Sequence, residues 1–568
     1  MRLTCFLILL SCLLGGEARA QSENVPVEHP VYTFLKRMEV KGLIERYHDA
    51  VLPLSRREIA VFLSDIDTSR SRLTEAEQGW LQDFLSEFRF DITGTTQGFH
   101  SLIESGDSTI GADLAAALSN REKFLYQYHD SAAALFANGL LDVDARSITG
   151  DALGRQHAEF VQPGFRLRGT LLGHLGYFMQ ETNAQFWGSR DLLLRDPILR
   201  QSHELSAGTN VHNFDFGEGY VRYDGGIVSA QLGRERVLWG YGFDQQMTLS
   251  DNPREFDFIR ADVQYKALKY TFMHAWLLGS ESELVFSLPS DTSAKFTEPV
   301  IADKYLAAHR FELSFPSVIT VGFQEMYIYS NRAPDLGYFN PFIFLESVQR
   351  SRGDRDNGFW SFDCKTHFLQ NVQLTGTILF DDINLPDLFT RVWTDRYAWQ
   401  MGMTYADPFL IANSTLMVEY TNVQPYVFSH GRSRDDSYTS LGDLLGPRIG
   451  PNAESWSLRG DYLPLRNLMF SVRVTFERKG ENVVDSTGQL ITNVGGDPLQ
   501  PHRDSDPLRT TFLAGNLVRT RNLQLMLTWE MVNQLWLDVS YRFDSTEQVV
   551  PEQWNENHTM DARVRMEF

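Results

Sequence analysis

The sequence predicts an all-β transmembrane barrel of about 16–18 antiparallel strands with a small N-terminal α-helical domain. Three observations predict this fold class: an export signal at the N-terminus, alternation of apolar and polar residues over roughly 450 residues, and a final strand-like segment that ends on Phe568. We therefore divide the chain into a signal peptide (1–20), a helical periplasmic domain (21–118) and an outer-membrane β-barrel (119–568).

The start of the chain has the layout of a cleaved secretory signal. Arg2 supplies the positive charge, an apolar run follows to Leu14, and Ala18-Arg19-Ala20 precedes Gln21. A lipoprotein lipidated at Cys12 is the alternative, but the apolar core before Cys12 is short. Cleavage before Gln21 leaves Cys364 as the one cysteine, so we expect an exported chain without an intramolecular disulfide.

The segment before the strands has helical spacing. In HPVYTFLKRMEVKGLI the apolar residues Val31, Leu35 and Met38 share one face. Capping boxes that begin at Ser55 and at Thr74 mark the starts of two further helices. The segment is also faintly similar to S-layer-homology sequences, which implies a wall or periplasmic partner. A plug beneath the barrel lumen is the other interpretation.

After about residue 120 the apolar period changes to two. NLMFSVRVTFE alternates in this way, and LQLMLTWEMVNQLWLDVSYRF is typical of a hairpin with its turn at Asn533-Gln534. No segment after Leu14 approaches the 18 or so consecutive apolar residues that a membrane helix needs, so a membrane protein with this sequence crosses the bilayer as a barrel. A secreted β-sandwich or propeller also alternates and is the soluble alternative.

Composition limits the partners. The net charge of −21 argues against nucleic acid, because phosphate binding needs clustered Lys and Arg. The 39 Phe, 21 Tyr and 11 Trp residues fit either a large core or the aromatic girdles of a membrane barrel. The sequence contains no G-x-S-x-G, H-E-x-x-H, paired C-x-x-C or P-loop motif. We therefore predict no catalytic residue, no metal and no cofactor.

The final segment, MDARVRMEF, places Ala562, Val564, Met566 and Phe568 on one face. An apolar strand with an aromatic last residue resembles the C-terminal signal by which bacterial outer-membrane barrels are recognised for insertion. The resemblance implies that the barrel assembly machinery and outer-membrane lipid are partners. It also implies that the last strand closes the barrel on an early strand, which leaves no unpaired edge.

The middle of the chain narrows the type of barrel. SAQLGRERVLWGYGFDQQMTLSDNPREFDFIRADVQY resembles the signature segment of the Wzi-like capsule assembly proteins, although Pro253-Arg254-Glu255 stands where the family usually has a pair of prolines. Further similar segments follow in order: AHRFELSF, YFNPFIFLE, DNGFW, LFDDI, YTNVQPYVFSH and LGPRIGPNAESW. Members of this family are outer-membrane barrels with an N-terminal helical portion. The resemblance implies a protein that binds, anchors or helps to assemble capsular or extracellular polysaccharide at the cell surface.

The signature segment has the chemistry of a sugar site, because sugars are bound by aromatic faces together with planar polar side chains. The candidate glycan contacts are Arg234, Arg236, Trp239, Tyr241, Asp251, Asn252 and Asp257, with Asn340 and Asp381 from later loops. The alternatives are that Trp239 belongs to an interfacial girdle and that Arg234 and Arg236 form salt bridges that brace the lumen.

Two carboxylates need a structural explanation. Alternation in VQLTGTILFDDI directs Asp381 inward and puts Asp382 at the rim, where the pair could hold a sugar hydroxyl or Ca²⁺ or could simply be solvated. In VITVGFQEMYIY, Glu325 shares the lipid-facing side, so we expect a bulge, a rim position or an inward turn there. His309 faces outward by alternation and is predicted to be an interface residue rather than a base.

Two other functions fit the sequence pattern. A diffusion porin shares the polar lumen of such a barrel. A barrel lipid hydrolase takes its Ser, His and Asn residues from separate strands and leaves no local motif.

Overall fold

The structure is a computed structural model that describes residues 21–103, 119–151, 153–202, 205, 212–288, 291–382, 385–431, 433–549 and 552–568. The predicted signal peptide and residues 104–118 of the predicted helical domain lie outside these residues.

Eighteen antiparallel strands form a closed barrel, which confirms the predicted fold class. In chain order β1 to β18 are Ala133–Gly150, Gly154–Leu171, Leu175–Gly188, Asn213–Asp224, Val228–Glu235, Phe256–Tyr265, Leu268–Leu288, Asp291–Phe315, Ile319–Ser330, Asn357–Thr366, Val372–Asp381, Tyr397–Ala406, Ser414–Val423, Ala453–Leu465, Leu468–Glu481, Asn516–Val532, Leu535–Gln548 and Gln553–Glu567. Each strand pairs with its neighbours in sequence, and β18 pairs with β1 in the register Glu567 to Leu140.

Short strands complete the sheets. Tyr126–His129 pairs with the first part of β1, beyond the point where β18 ends. The remaining pairs are His100–Ser101 with Lys123–Phe124, Val51–Leu52 with Leu238–Trp239, Thr439–Ser440 with Asp443–Leu444, and Val483–Val484 with Leu490–Thr492.

The two ends of the barrel differ in the length of their connections. At one end, the short-turn end, strands are joined by tight turns, for example residues 172–174, 316–318 and 533–534. At the other, the long-loop end, the connections include residues 236–255, 331–356, 382–396, 424–452 and 482–515. Transmembrane barrels of bacteria show the same asymmetry between short periplasmic turns and longer extracellular loops.

The helices are short. They are α1 to α6, Val31–Val40, Arg56–Thr68, Glu75–Glu87, Arg89–Thr93, Arg190–Leu193 and Leu345–Ser351. Single 3₁₀ turns lie at Arg70–Arg72, Leu199–Gln201, Leu336–Phe339, Leu385–Asp387, Pro408–Leu410 and Arg434–Asp436. In the described parts of the chain, none of the helices has the length and apolar character needed to cross a bilayer.

The helical domain, described from residue 21 to residue 103, packs α1 to α4 around one apolar core. Both predicted capping boxes are present: Ser55 caps α2 and Thr74 caps α3, each with its glutamate three residues later. Phe34 of α1 contacts Trp80 and Phe84 of α3, with ring centroids 5.3 and 5.4 Å apart. These aromatic contacts fix the helices against one another.

The helical domain covers the short-turn end of the barrel. Arg37 of α1 donates to the Thr415 hydroxyl of β13 at 3.0 Å, and Asp83 of α3 pairs with Arg466 at 3.0 Å in the turn after β14. Glu45 accepts a hydrogen bond at 3.1 Å from Ser317 in the turn after β8. Contacts to one strand end and to two turns therefore hold the domain across the mouth of the barrel.

Glu325 lies on the outer face of β9, but it does not face lipid. The expected bulge, rim position or inward turn is wrong: β9 pairs continuously with both neighbours, and Glu325 lies in the interior of the strand on its outer face. Instead, the 331–356 loop folds over the outer wall, and the backbone N–H of Leu345 in α6 donates to Glu325 at 2.8 Å. His309, which faces outward as predicted, contacts the same carboxylate at 3.3 Å. The loop thus buries a carboxylate that bare lipid would not accommodate.

Candidate functional site

Residues 236–255, between β5 and β6, turn into the lumen and are called here the inward loop. Trp239 and Val51 are opposite each other in a two-residue antiparallel ladder with the helical domain. The backbone N–H of Gly240 donates to the Ala50 carbonyl at 2.9 Å, and Gly240 has a φ of 113°, which favours glycine. The inward loop and the helical domain therefore meet inside the barrel.

Trp239 is completely buried in an apolar cluster inside the barrel, which packs against the wall from β6 to β14. The cluster combines residues of the inward loop, such as Met247 and Leu249, with Phe428 and Tyr438 of the 424–452 loop. The Tyr438 hydroxyl donates to the Thr248 carbonyl at 2.6 Å. The structure therefore places Trp239 neither at a girdle nor on an open surface.

Tyr241 lies among charged groups from three parts of the chain. Its ring is within 6 Å of the cationic groups of Lys36 of the helical domain and of Arg310 and Lys365 of the barrel wall. Carboxylates balance these cations, and we call the whole set the charged interlock: Lys36, Glu39, His48, Asp49, Arg310, Glu312, Asp363 and Lys365. The three cations and four carboxylates of this set contact one another, so the cluster braces the helical domain against the barrel wall.

Glu419 of β13 fixes the inward loop at its tip. Its carboxylate accepts from the backbone N–H of Phe243 at 2.7 Å and from that of Gln245 at 2.9 Å. Burying a carboxylate is costly unless it is hydrogen-bonded, and here the loop backbone supplies the bonds. The loop and the wall consequently stabilise each other.

The two arginines predicted in the signature segment have carboxylate partners. Arg234 and Asp257 are register partners on the outer face of β5 and β6, and their side chains form two hydrogen bonds of 2.8 and 3.1 Å. Arg236 donates to Glu255 at 2.6 Å, across the base of the inward loop. Thus Arg234 and Asp257 lie outside the barrel, whereas Trp239 and Tyr241 lie inside it.

The remaining predicted residues are spread over the long-loop end. Asp251 and Asn340 are exposed, and Asn252 donates to the Gly446 carbonyl at 2.7 Å. Asp381 points inward as predicted, where it lies 3.4 Å from Arg396 and accepts from the backbone N–H of Phe428. Among the described residues, no group of three or more His, Cys, Asp or Glu side chains is arranged to hold a metal ion.

An aromatic pair that the sequence interpretation missed lies at the long-loop end. Trp393 and His502 stack with ring centroids 4.3 Å apart and planes only 9° apart, and both rings are partly exposed. The backbone N–H of Trp393 donates to Leu508 at 2.9 Å, and a β-bridge joins Val392 to Arg509. The two long loops are thereby joined beneath the rings. We call Trp393 and His502 the loop platform.

The loop platform has the features of a carbohydrate contact: flat rings with adjacent polar and charged groups. Arg391 and Arg509 are exposed beside it, and Arg503 pairs with Asp506 at 2.6 Å. Two sequence segments, RVWTDR and PHRDSDPLR, contain the residue types of a sugar site. Each combines an aromatic or imidazole ring with charged residues in a segment rich in turn-forming residues. The loop platform was missed because the two segments are more than 100 residues apart and meet only in the folded chain.

Comparisons with known proteins agree with this architecture. A family model described as capsule assembly protein Wzi matches residues 131–558. No curated protein sequence matches the chain. Among solved structures, the chain is similar to Wzi of Escherichia coli, described as an outer membrane protein involved in group 1 capsule assembly and a carbohydrate-binding β-barrel. That similarity has a TM-score of 0.55 and 12% identity, and it covers 96% of this chain and 99% of the other.

Two proteins of Pseudomonas aeruginosa are similar over a smaller part of the chain. OpdK, solved with vanillate, has a TM-score of 0.42 and 11% identity over 76% of this chain and 99% of its own. The outer membrane protein OprD has a TM-score of 0.40 and 9% identity over 76% of this chain and 93% of its own.

Proposed function

The chain belongs to the Wzi family of capsule assembly proteins, and on this premise we propose that it is an outer-membrane barrel that binds surface polysaccharide and holds it at the cell surface. The family match over residues 131–558 is the observation that carries the proposal. The carbohydrate binding described for the Escherichia coli barrel supports the same ligand class.

The filled lumen supports binding rather than diffusion. The helical domain covers the short-turn end, and the inward loop packs its apolar residues, with Phe428 and Tyr438, inside the barrel against the wall from β6 to β14. A diffusion channel needs a continuous aqueous path, as in large porin barrels. The same packing engages the lumen carboxylates and arginines in ion pairs, and we propose that the protein acts without catalysing a reaction.

The orientation follows from the two ends of the barrel. With short turns in the periplasm and long loops outside, the helical domain is periplasmic and the loop platform faces the cell exterior. The outer-membrane lipid surrounds the wall, and the barrel assembly machinery inserts the chain. Polysaccharide then meets the long-loop end first.

We assign the glycan contact to the loop platform rather than to Trp239, because a fully buried indole offers no face to a sugar. Trp393 and His502 present ring edges and faces at the surface, and the exposed arginines beside them can donate to hydroxyl or carboxylate groups. Asp251 and Asn340, exposed on neighbouring loops, remain candidates for additional polar contacts.

The test is glycan-array binding of detergent-purified protein, followed by affinity measurement on the best glycan. Replacing Trp393 and His502 together by Ala should weaken binding by about 1 to 3 kcal/mol, by analogy with aromatic stacking on bases. Trp239→Ala is the matched control, because it removes an aromatic residue from the buried cluster. Affinity is compared per folded molecule, with folding judged by gel mobility before and after heating.

In the control we expect reduced heat stability and unchanged affinity. Unchanged affinity in a folded platform variant would refute the site, and the absence of binding to any glycan by the unaltered protein would refute the function.

A further inference from the structure

Three arginines form a row on the outer wall near the long-loop end, on the two strands that the 482–515 loop connects. Arg478 of β15 is the register partner of Arg519 of β16, and Arg521 follows two residues further along the same face. We call Arg478, Arg519 and Arg521 the arginine row. Like charges directly opposite each other in a sheet destabilise the pairing unless something compensates them.

Two glutamates compensate the positive charge of the arginine row only in part. Arg478 donates to Glu454 of β14 at 2.6 Å, and Arg519 donates to Glu547 of β17 at 3.0 Å. Arg521 reaches Glu547 only at 3.6 Å, longer than a hydrogen bond. Three cations therefore face two carboxylates, and the arginine side chains are 53%, 42% and 51% exposed. Each guanidinium carries five N–H donors, so donors remain for an additional anion.

The height of the row on the wall identifies the environment. Below Arg478, the outward residues of β15 are apolar: Leu468, Phe470, Val472, Val474 and Phe476. About ten residues on a strand tilted by about 40° rise about 25 Å, the height of the apolar band of such barrels. Arg478 therefore lies where the band ends. Trp456, the register partner of Phe476, and Trp554, the register partner of Glu547, add the aromatic girdle of that boundary.

We propose that the arginine row is a binding site for the phosphate group of a lipid in the surrounding leaflet. Guanidinium groups bind phosphate with paired, charge-assisted hydrogen bonds, and two adjacent guanidiniums can hold one phosphate between them. The acyl chains of the same lipid lie along the apolar band directly below the row. The anion relieves the repulsion between Arg478 and Arg519, so the lipid stabilises this side of the barrel. This inference does not depend on the glycan proposal.

The test compares two lipids that differ only in the phosphate. Purified protein in neutral detergent is mixed with phosphatidic acid or with diacylglycerol of the same acyl chains, and bound lipid is counted by native mass spectrometry. We expect the protein to bind more phosphatidic acid than diacylglycerol. This preference should fall at least about tenfold when all three arginines are replaced by glutamine, because each basic residue adds to the attraction for anionic lipid. Arg155→Gln, an exposed outer-face residue of β2, is the matched control and should keep the preference.

Inorganic phosphate distinguishes a lipid site from a simple anion site. At equal concentration it should not displace phosphatidic acid, because it has no acyl chains to lie along the wall. The proposal is overturned if the protein binds both lipids equally, or if the triple variant keeps its full preference for phosphatidic acid. It is also overturned if inorganic phosphate displaces phosphatidic acid. If the triple variant does not fold, Arg521→Gln replaces it, because Arg521 has the weakest contact with a carboxylate.

Discussion

Lys365 of the barrel wall and Glu39 of the helical domain form a completely buried ion pair, with 2.7 Å between the ammonium nitrogen and the carboxylate oxygen. Asp49 of the helical domain contacts the same ammonium group. One cation of β10 therefore satisfies two carboxylates of a separate unit. The pair shows that the helical domain and the barrel share a polar interior rather than merely touching at a rim.

Replacing Lys365 by Ala should loosen the helical domain. The substitution removes one of the two lysines that contact Glu39 and Asp49 and leaves Lys36 to compensate both buried carboxylates. Breaking a buried pair completely costs about 3 to 5 kcal/mol, so we expect a loss of up to that size. Limited proteolysis should cut the helical domain faster while the barrel keeps its heat-dependent gel mobility. Arg72→Ala, at an exposed position of the helical domain, is the control and should behave as the unaltered protein. Equal cleavage rates in both variants would contradict the role of the pair.

Acid should release the helical domain. Burial acts to raise the pKa of Asp49, but Lys36 and Lys365 outweigh it and lower that pKa from 3.8 to about 2. Glu87 of α3 behaves alike: burial opposes the change, and His29 and Arg56 lower its pKa from 4.5 to about 2. A lowered pKa stabilises the fold above the unfolded value, and this stabilisation is lost as the pH falls from about 4 to about 2.

Pepsin, which is active in that range, provides the measurement. The helical domain should become cleavable as the pH falls from about 4 to about 2, and Asp49→Asn should be cleavable already at pH 4. Asp67→Asn, on the exposed side of α2, is the comparison and should follow the unaltered protein. Resistance to pepsin at pH 2 would show that the carboxylates do not hold the domain.

Glu122 should make the protein less stable as the pH rises towards 8. Burial, together with the nearby charge of Glu87, raises its pKa from 4.5 to about 8, although Asn533 donates a hydrogen bond to it. The folded chain thus keeps a proton that the unfolded chain loses, so stability falls as the pH rises from about 4.5 to about 8. Glu122→Gln cannot ionise and should be more stable than the unaltered protein at pH 8, by up to about 1.4 kcal/mol for each unit of pKa shift.

Urea unfolding in detergent at two pH values tests this. The two proteins should have equal free energies of unfolding at pH 4.5 and diverge at pH 8. A constant difference at both pH values would mean that Glu122 is not the titrating group.

The purified barrel should conduct poorly. The inward loop and the helical domain enter the lumen from opposite ends and meet inside it, so planar-bilayer recordings should show no large, steady conductance. A diffusion porin recorded under the same conditions is the comparison. A large, steady current would favour a diffusion porin. It would also show that the inward loop and the helical domain do not block the lumen.

Phe568→Ala should separate assembly from stability. The backbone of Phe568 exchanges hydrogen bonds with Gly139, which alanine retains, whereas alanine loses the contact of the ring with the Lys123 ammonium group, 5.7 Å from the ring centroid. An assembled variant should therefore be only slightly less stable than the unaltered protein. If the aromatic ring is the feature recognised during insertion, the amount of barrel in the outer membrane should fall. Normal abundance of a heat-modifiable variant in membrane fractions would exclude that role.

Local rules predicted much of the fold. The capping boxes at Ser55 and Thr74, the turn at Asn533-Gln534 and the inward direction of Asp381 all follow from spacing and from period-two alternation, and the structure has each of them. Alternation determines which face a side chain occupies. It does not determine what covers that face, and this is why Glu325 was misinterpreted: a loop of the same chain, not water or a bulge, surrounds it.

The candidate site was harder to predict for the same physical reason. Trp239 lies in a loop with the composition of a sugar site, yet the loop turns inward and its indole packs against side chains from distant loops. Trp393 and His502 become neighbours only because two long connections bridge at Val392 and Arg509. Neither outcome has a local sequence signal, because both depend on contacts between segments far apart in the chain.

The polar contacts of residues 22–24 have a consequence for the order of folding. Glu23 pairs with Arg168 at 3.1 Å and Asn24 donates to Gln231 at 2.9 Å, so the segment is enclosed by β2 and β5 on the inner side of the wall. Yet this segment precedes every strand, and the sheet becomes a cylinder only when β18 reaches β1. In the folded protein the closed sheet therefore surrounds a segment that precedes all of its strands. Residues 22–24 reach their partners either by being enclosed when β18 pairs with β1 or by entering through the short-turn end afterwards, and the relative times at which Glu23 and the β18–β1 pairing become protected distinguish the two orders.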